Sequence, residues 1–257
     1  MIVNPRFDLS DRVAIITGGG KGIGKVYAKE FAKAGAKVIA VDIDGDAAMA
    51  VAAEITAEGG QALGKRTDVA DEISTAEMGK AAVDRFGAID ILVNNASLMS
   101  VLQRRSWLEI PVEEWDRVMA VNLRGMFLCC RAVFPVMRDR KRGKIVNISS
   151  SRIWEGSPNR LHYTTSKAGV IGFTRALCRE VGEHGITVNA VTPGYTLSET
   201  QQATSSNNYV AMSSEGRAVG RAQYPDDLVG AVMFLSSAAS DFVTGQTLNV
   251  DGGKTMH

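Results

Sequence analysis

The sequence predicts an α/β fold, a doubly wound parallel sheet of about seven strands with helices on both faces, on three observations. Short apolar runs recur along the chain at residues 13–16, 37–41, 89–93, 144–148, 187–191 and 247–250, with a weaker candidate strand at 61–65. The stretches between them carry helical periodicity. Ile23, Val26, Tyr27, Phe31 and Ala34 share one face of a 3.6-residue repeat, and Trp115, Val118, Met119 and Asn122 do so farther on. Crossovers between parallel strands lay helices over both sheet faces and are right-handed, which leaves the doubly wound arrangement.

The 257 residues read as one domain, 1–257, with no linker, repeat or low-complexity block. Gly is abundant at 26 and Pro scarce at 6, which suits many strand–helix turns and few rigid linkers. Residues 199–208 are polar and read as a mobile insertion, and the surrounding segment near 197–215 as a substrate lid. A formal net charge of +1 gives no global field for nucleic acid or a membrane. Cys129, Cys130 and Cys178 lie among apolar neighbours, so buried reduced thiols are expected rather than a disulfide framework. No apolar run reaches the ~18 residues of a membrane span. Residues 1–10 lack the apolar core of a signal peptide, so a cytoplasmic protein is expected. His162, His184 and His257 share no ligand spacing, and no metal site is expected.

In such a sheet, ligands sit beyond the carboxyl ends of the strands. Thr17-Gly18-Gly19-Gly20-Lys21-Gly22-Ile23-Gly24 follows the first strand and opens the first helix. Glycines there permit a tight turn and close approach of a phosphate, which the free N–H groups at the helix start attract. Asp42 ends the second strand, where a carboxylate accepts both ribose hydroxyls of NAD and repels a 2′-phosphate. Lys21 points the other way, as a cation that could accept that phosphate; Asp42 weighs more, so NAD is expected over NADP.

Tyr163 and Lys167 stand four apart, on one face of a helix expected to run to about Val181. An ammonium near a phenol favours the phenolate, and base chemistry near neutrality needs the ordinary Tyr pKa of ~10 lowered by ~2–3 units. Ser150 ends the strand at 144–148, where its hydroxyl can meet developing charge on a substrate oxygen.

Taken together, these residues resemble the short-chain dehydrogenase/reductase family in its compact single-domain branch, from Val13 to Gly253. The T-G-x-x-x-G-x-G turn is Thr17 to Gly24, and the N-N-A-G segment is Asn94-Asn95-Ala96-Ser97, with Ser replacing the final Gly. Asn122, Ser150, Tyr163 and Lys167 match the active-site set, and Pro193-Gly194, Thr244-Gly245-Gln246 and Val250-Asp251-Gly252-Gly253 match later motifs. The resemblance implies a nicotinamide-dependent oxidoreductase of the Rossmann-like type. Tyr163 would be the general acid/base, Lys167 would lower its pKa and bind the nicotinamide ribose, and Ser150 would stabilise the substrate oxygen. Asn122 would hold a water linking Lys167 to solvent. Asp68 and Val69 would lie near the adenine, Asn95 and Ala96 near the adenosine ribose, and Pro193, Gly194, Thr196 and Ser198 near the nicotinamide. A homotetramer would form through helices around 113–138 and 163–183.

The substrate is expected to be a small secondary alcohol or ketone, walled by Ser97, Ser150, Arg152, Trp154 and Tyr195. Leu98 and Trp154 suggest an apolar or ring-shaped molecule, and Arg152 could pair with an anionic group or be a solvated loop residue. Arg138, Arg140, Lys141, Arg142 and Lys144 form a basic run that reads as cations at a helix C-terminus, with a carrier-protein contact as the alternative. Two other readings stay open: an NADPH-dependent 3-oxoacyl or carbonyl reductase, and a nucleotide-sensing protein without catalysis.

Overall fold

A computed structural model describes residues 7–200 and 209–256. Its order is β1 (Val13–Thr17), α1 (Gly22–Lys33), β2 (Lys37–Asp42), α2 (Gly45–Ala57), β3 (Gln61–Arg66), α3 (Glu72–Phe86), β4 (Ile91–Asn94), α4 (Val112–Met119), α5 (Gly125–Asp139), β5 (Gly143–Ile148), α6 (Arg152–Glu155), α7 (Leu161–Val181), β6 (Ile186–Pro193) and β7 (Thr247–Val250). A helix at Asp226–Ser236 lies between the last two strands. The seven strands are all parallel, in the order β3-β2-β1-β4-β5-β6-β7.

Strand alternation splits the core into two layers. On β1, Val13 and Ile15 point into a cluster with Met78, Cys129, Val133, Met137, Val170 and Cys178 of α3, α5 and α7. Ala14 and Ile16 point the opposite way, against Tyr27 and Phe31 of α1, Val51 and Ile55 of α2, and Leu228 and Val232 of the Asp226–Ser236 helix. A strand buried on both faces reads as an unbroken apolar run, which is why the central strands are plain in the sequence. The edge strand β3 is only partly buried and its pattern correspondingly weaker. Helix starts follow local chemistry: the Asp44 and Asp71 carboxylates accept the backbone N–H of Ala47 (3.1 Å) and Ser74 (2.7 Å) at the first turns of α2 and α3. Cys129, Cys130 and Cys178 are buried free thiols, and burial pushes Cys130 up to about 12.

Three expectations change. The strand expected at 89–93 begins at Ile91, because Asp90 is buried and its carboxylate accepts the Val13 N–H at 2.9 Å. That carboxylate also explains part of the basic run: Arg142 hydrogen-bonds it and Arg140 lies 3.9 Å away, while Lys144 pairs with Asp241 at 2.8 Å. Arg138 pairs with Asp139 at 2.8 Å, so four of these cations balance specific carboxylates rather than only a helix end. Finally, α4 and α5 join into one helix, Val112–Asp139, long and apolar enough to cross a membrane by length and composition, although its constituent runs are short. Its buried face carries Met126, Cys129, Val133 and Met137 against the sheet.

Residues 201–208, the centre of the expected lid and most of the expected insertion, lie outside the described residues.

Candidate active site

The strand order reverses direction between β1 and β4, and the crevice opens there. Thr17, the last residue of β1, fastens it: its hydroxyl accepts the N–H groups of Asn95 (2.9 Å) and Ala96 (3.0 Å). The Asn95 amide returns two bonds, to the carbonyls of Thr17 (2.9 Å) and Gly18 (3.3 Å). The glycine turn is thus braced by the segment after β4. Gly18 and Gly22 hold φ of 62° and 56°, a region where glycine carries no steric cost, and a Cβ on Gly24 would run into the Gly18 carbonyl. The Gly22 N–H at the start of α1 already meets an anion, the Glu199 carboxylate at 3.1 Å. A crowded glycine cradle whose N–H attracts a carboxylate fits the pyrophosphate of a dinucleotide.

Asp42 lies at the carboxyl end of β2. Its two oxygens accept the N–H groups of Gly20 and Asp44, each at 3.1 Å, which aims the carboxylate beside the turn. Lys21 is drawn aside, with Nζ 2.5 Å from Asp44 Oδ2. Asp44 raises the Lys21 pKa, and Lys21 in turn lowers that of Asp44.

Tyr163 and Lys167 face the far end of the crevice from α7, both buried, with the ammonium 5.8 Å from the phenol ring centre. Lys167 is hooked over the end of β5, donating to the Ile148 carbonyl at 2.8 Å, and the Ser149 hydroxyl donates to the Lys167 carbonyl at 2.7 Å. Asn122 sits in a π-helical turn, Ala120–Arg124, between α4 and α5. Such turns are frequent at functional sites. Its amide brackets Leu98, accepting that N–H at 2.7 Å and donating to its carbonyl at 3.3 Å. It also donates to the Ser166 hydroxyl at 3.1 Å, which itself donates to the Tyr163 carbonyl at 2.7 Å. Asn122 and Lys167 both border a small secondary cavity of about 10 Å³, room for roughly one water.

The electrostatics differ from the expectation in one respect. Burial raises the Tyr163 pKa, opposed in turn by the facing Ser150 hydroxyl and by the Arg152 and Arg160 guanidinium ions. Burial also pushes Lys167 down to about 8. In the protein without cofactor, desolvation outweighs the help of nearby cations, and those cations are the two arginines.

A cleft of about 750 Å³ joins these features. It is lined by Gly18, Lys21, Gly22, Ile23, Gly24, Asp42, Asp68, Val69, Asn95, Ala96, Ser97, Ser150, Arg152, Tyr163, Lys167, Pro193, Gly194, Tyr195, Thr196 and Ser198. Every residue expected at the cofactor therefore comes together at one opening. Asn122 lies behind that wall. Trp154 is not among the lining residues: on the short helix α6, Arg152 and Glu155 share the face toward the cleft, three positions apart, and Trp154 falls off it. Ser97 takes the family glycine's place without strain, because its φ is not positive. Arg104, Arg160 and Lys254 also line the cleft and were not anticipated. The sequence signal was weak, an Arg104-Arg105 pair in a loop and an Arg160 at a helix start.

The family model described as short chain dehydrogenase matches residues 12–209. Among curated proteins, the chain is 40% identical over 248 residues to the (2S)-[(R)-hydroxy(phenyl)methyl]succinyl-CoA dehydrogenase subunit BbsD of Thauera aromatica, covering 96% of this chain and 98% of that one. It is 37% identical over 253 residues to a 3-oxoacyl-[acyl-carrier-protein] reductase of Synechocystis, covering 96% and 98% respectively. Among solved structures, a 7α-hydroxysteroid dehydrogenase complexed with NADH and 7-oxo glycochenodeoxycholic acid superposes with a TM-score of 0.92 at 32% identity, covering 100% of this chain and 99% of that one.

Proposed function

The chain belongs to the short-chain dehydrogenase/reductase family, and on that premise we propose that it is an NAD-preferring oxidoreductase acting at a secondary alcohol or ketone carbon, with Tyr163 as general acid/base. Membership makes it an oxidoreductase with a nicotinamide cofactor and a small-molecule substrate. The observation that carries the finer reading is the placement of Tyr163 and Lys167 on one buried face of α7, with Ser150 opposite, in the cleft that begins at the glycine turn.

A bound nicotinamide supplies the hydride acceptor or donor. Tyr163 takes the hydroxyl proton in oxidation and returns it in reduction. Ser150 donates a hydrogen bond to the substrate oxygen as charge develops there. Lys167, fixed by the Ile148 carbonyl, would hold the nicotinamide ribose, and a water in the cavity beside Asn122 would link it to solvent. NAD preference is supported by Asp42, whose carboxylate at the end of β2 beside the glycine turn would accept ribose hydroxyls and repel a 2′-phosphate, and by the engagement of Lys21 with Asp44. Relatives named for 3-oxoacyl reduction keep an NADPH-dependent reductase as the second reading.

The exposed apolar side chains of Val112 and Phe127 on the α4–α5 helix support assembly through that surface, for which we propose a homotetramer, in the cytoplasm. The test is NADH absorbance across a panel of secondary alcohols and ketones with both cofactors. Turnover is expected with NAD, rising with pH in the oxidation direction because the phenol must lose its proton. A pH-independent rate that survives Tyr163→Phe overturns the assignment.

A further inference from the structure

Away from the glycine turn, the cleft wall comes from the loop after β4 and from the segment between β5 and α7. Three guanidinium groups line the cleft there: Arg104 in the first loop, Arg152 at the start of α6 and Arg160 just before α7. The two segments are laced together, since Arg105 N–H donates to the Asn159 carbonyl at 3.2 Å and Arg160 donates to the Leu102 carbonyl at 2.9 Å.

The arginines are held without a counter-ion. Among the described residues, none of the three has a carboxylate within 4.0 Å, whereas Arg142, Arg221 and Arg131 are each bonded to one. Arg152 donates to the carbonyls of Ser157 (3.4 Å) and Pro158 (3.1 Å). Among the described residues, Arg160 hydrogen-bonds, besides the Leu102 carbonyl, the Met99 sulfur at 3.2 Å. The Nε atoms of both are buried with no hydrogen-bond partner among the described residues. The one acid lining this region, Glu155, accepts the hydroxyls of Ser151 and Ser157, each at 3.0 Å, and pairs with Lys254 at 3.5 Å. Its charge is thereby balanced, and the wall keeps a surplus of three positive charges counted from Arg104, Arg152 and Arg160.

Such an arrangement is costly when empty. Burial lowers the pKa of Arg152 and of Arg160, Arg104 repels both, and Arg152 repels Arg160. Half-buried like charges with neutral partners gain most from an anion, which removes the repulsion and completes the hydrogen bonding together.

We propose that Arg152 and Arg160, with Arg104 at the exposed rim, form a recognition site for an oxyanion carried by the substrate at a distance from the carbon that exchanges hydride. This substrate class rests on the oxidoreductase reading above. The site is separate from the pyrophosphate position: the glycine turn follows β1, while the arginines follow β4 and β5, on the other side of the crevice. A guanidinium fork suits a carboxylate or a phosphate, so the shared chemistry is the oxyanion.

The experiment measures binding, not turnover. Protein saturated with NADH is titrated calorimetrically with phenylsuccinate, glutarate and glycerol phosphate, and with the two diamides and glycerol as neutral counterparts. At least one anion is expected to bind tenfold or more tightly than its counterpart, with affinity falling as salt rises. The anion that does so separates carboxylate from phosphate. Arg152→Met with Arg160→Met removes that preference while NADH affinity holds. Arg104→Met, an exposed change with no structural bond to lose, lowers it about threefold. If no anion outbinds its counterpart, or if the preference survives these variants, the proposal is overturned. Because no step requires hydride transfer, this result stands apart from the Tyr163→Phe assay, which decides the oxidoreductase reading.

Discussion

At the β1–β2–β3 end of the cleft, the recognising groups are backbone N–H groups and short side chains held by the sheet itself. Gly22 offers its N–H from the start of α1, Thr17 is bonded to the segment after β4, and Asp42 is aimed by the N–H groups of Gly20 in the glycine turn and of Asp44 in its own loop. At the β4–β5 end, the groups are long cationic side chains projected from loops: Arg104, Arg152 and Arg160. The first end has one geometry, fixed by backbone groups at the ends of neighbouring strands. The second depends on how three distant pieces of chain meet. Tyr163 stands at the junction, with its pKa pushed up by burial and pulled down by the Ser150 hydroxyl and the arginine side. A constant cofactor suits the first construction, and a substrate that differs between relatives suits the second.

The sharpest way to break this comparison is at the junction. Tyr163→Phe keeps the ring and removes the hydroxyl, so turnover is expected to fall by ~10²–10⁴-fold while NADH binding stays near wild type, read by stopped-flow absorbance and fluorescence titration. An equal loss of cofactor affinity would place Tyr163 in binding rather than chemistry.

The cofactor end is tested next. Asp42→Ser removes the charge opposed to a 2′-phosphate, and the ratio of kcat/KM for NADP over NAD is expected to rise by ~10–100-fold. No change would show that Asp42 does not meet the ribose.

Lys167 tests the energetic cost of the site. Its folded pKa, about 8, lies below the ordinary 10.5. The penalty is therefore fully present below pH 8 and fades as pH rises toward 10.5, where the unfolded chain also becomes neutral. The shift corresponds to about 3 kcal/mol, of which loss of the hydrogen bond to Ile148 takes back about 1 kcal/mol in Lys167→Met. Denaturant unfolding without cofactor is expected to show the variant more stable by ~1–2 kcal/mol at pH 7, with the gain shrinking between pH 8 and 10, although its activity is lost. A less stable variant would mean that the ammonium is better accommodated than its burial implies.

The smallest effect is expected at Ser97. Because its backbone needs no glycine, Ser97→Gly should lower stability by no more than about 0.5–1 kcal/mol and leave NAD kinetics unchanged. A large kinetic change would give the Ser97 hydroxyl a part in the cleft.

The strands show where sequence reading succeeds. Residues 13–16 and 91–93 are apolar on both faces because both faces are covered, so the run itself carries the information. The edge strand β3 and the start of β4 at Ile91 are less legible, since the first is half-covered and the second is set by a carboxylate that bonds Val13, 77 positions away. The π-helical turn at Asn122 has no local signature at all. It is held by Leu98 and Ser166, which are remote in the chain.

By itself, the sequence determined the sheet, the glycine turn, the carboxylate at Asp42 and the pairing of Tyr163 with Lys167, because each is a property of residues a few positions apart: an alternation, a turn, a strand end, one turn of helix. The tertiary structure alone decided that Trp154 does not line the cleft, that the basic run pairs with Asp90, Asp139 and Asp241, and that Arg104, Arg152 and Arg160 line one stretch of the cleft with Tyr163 without a counter-ion among the described residues. Those outcomes depend on which loops pack together and how far each charge is removed from water, and neither quantity is defined until the chain has folded.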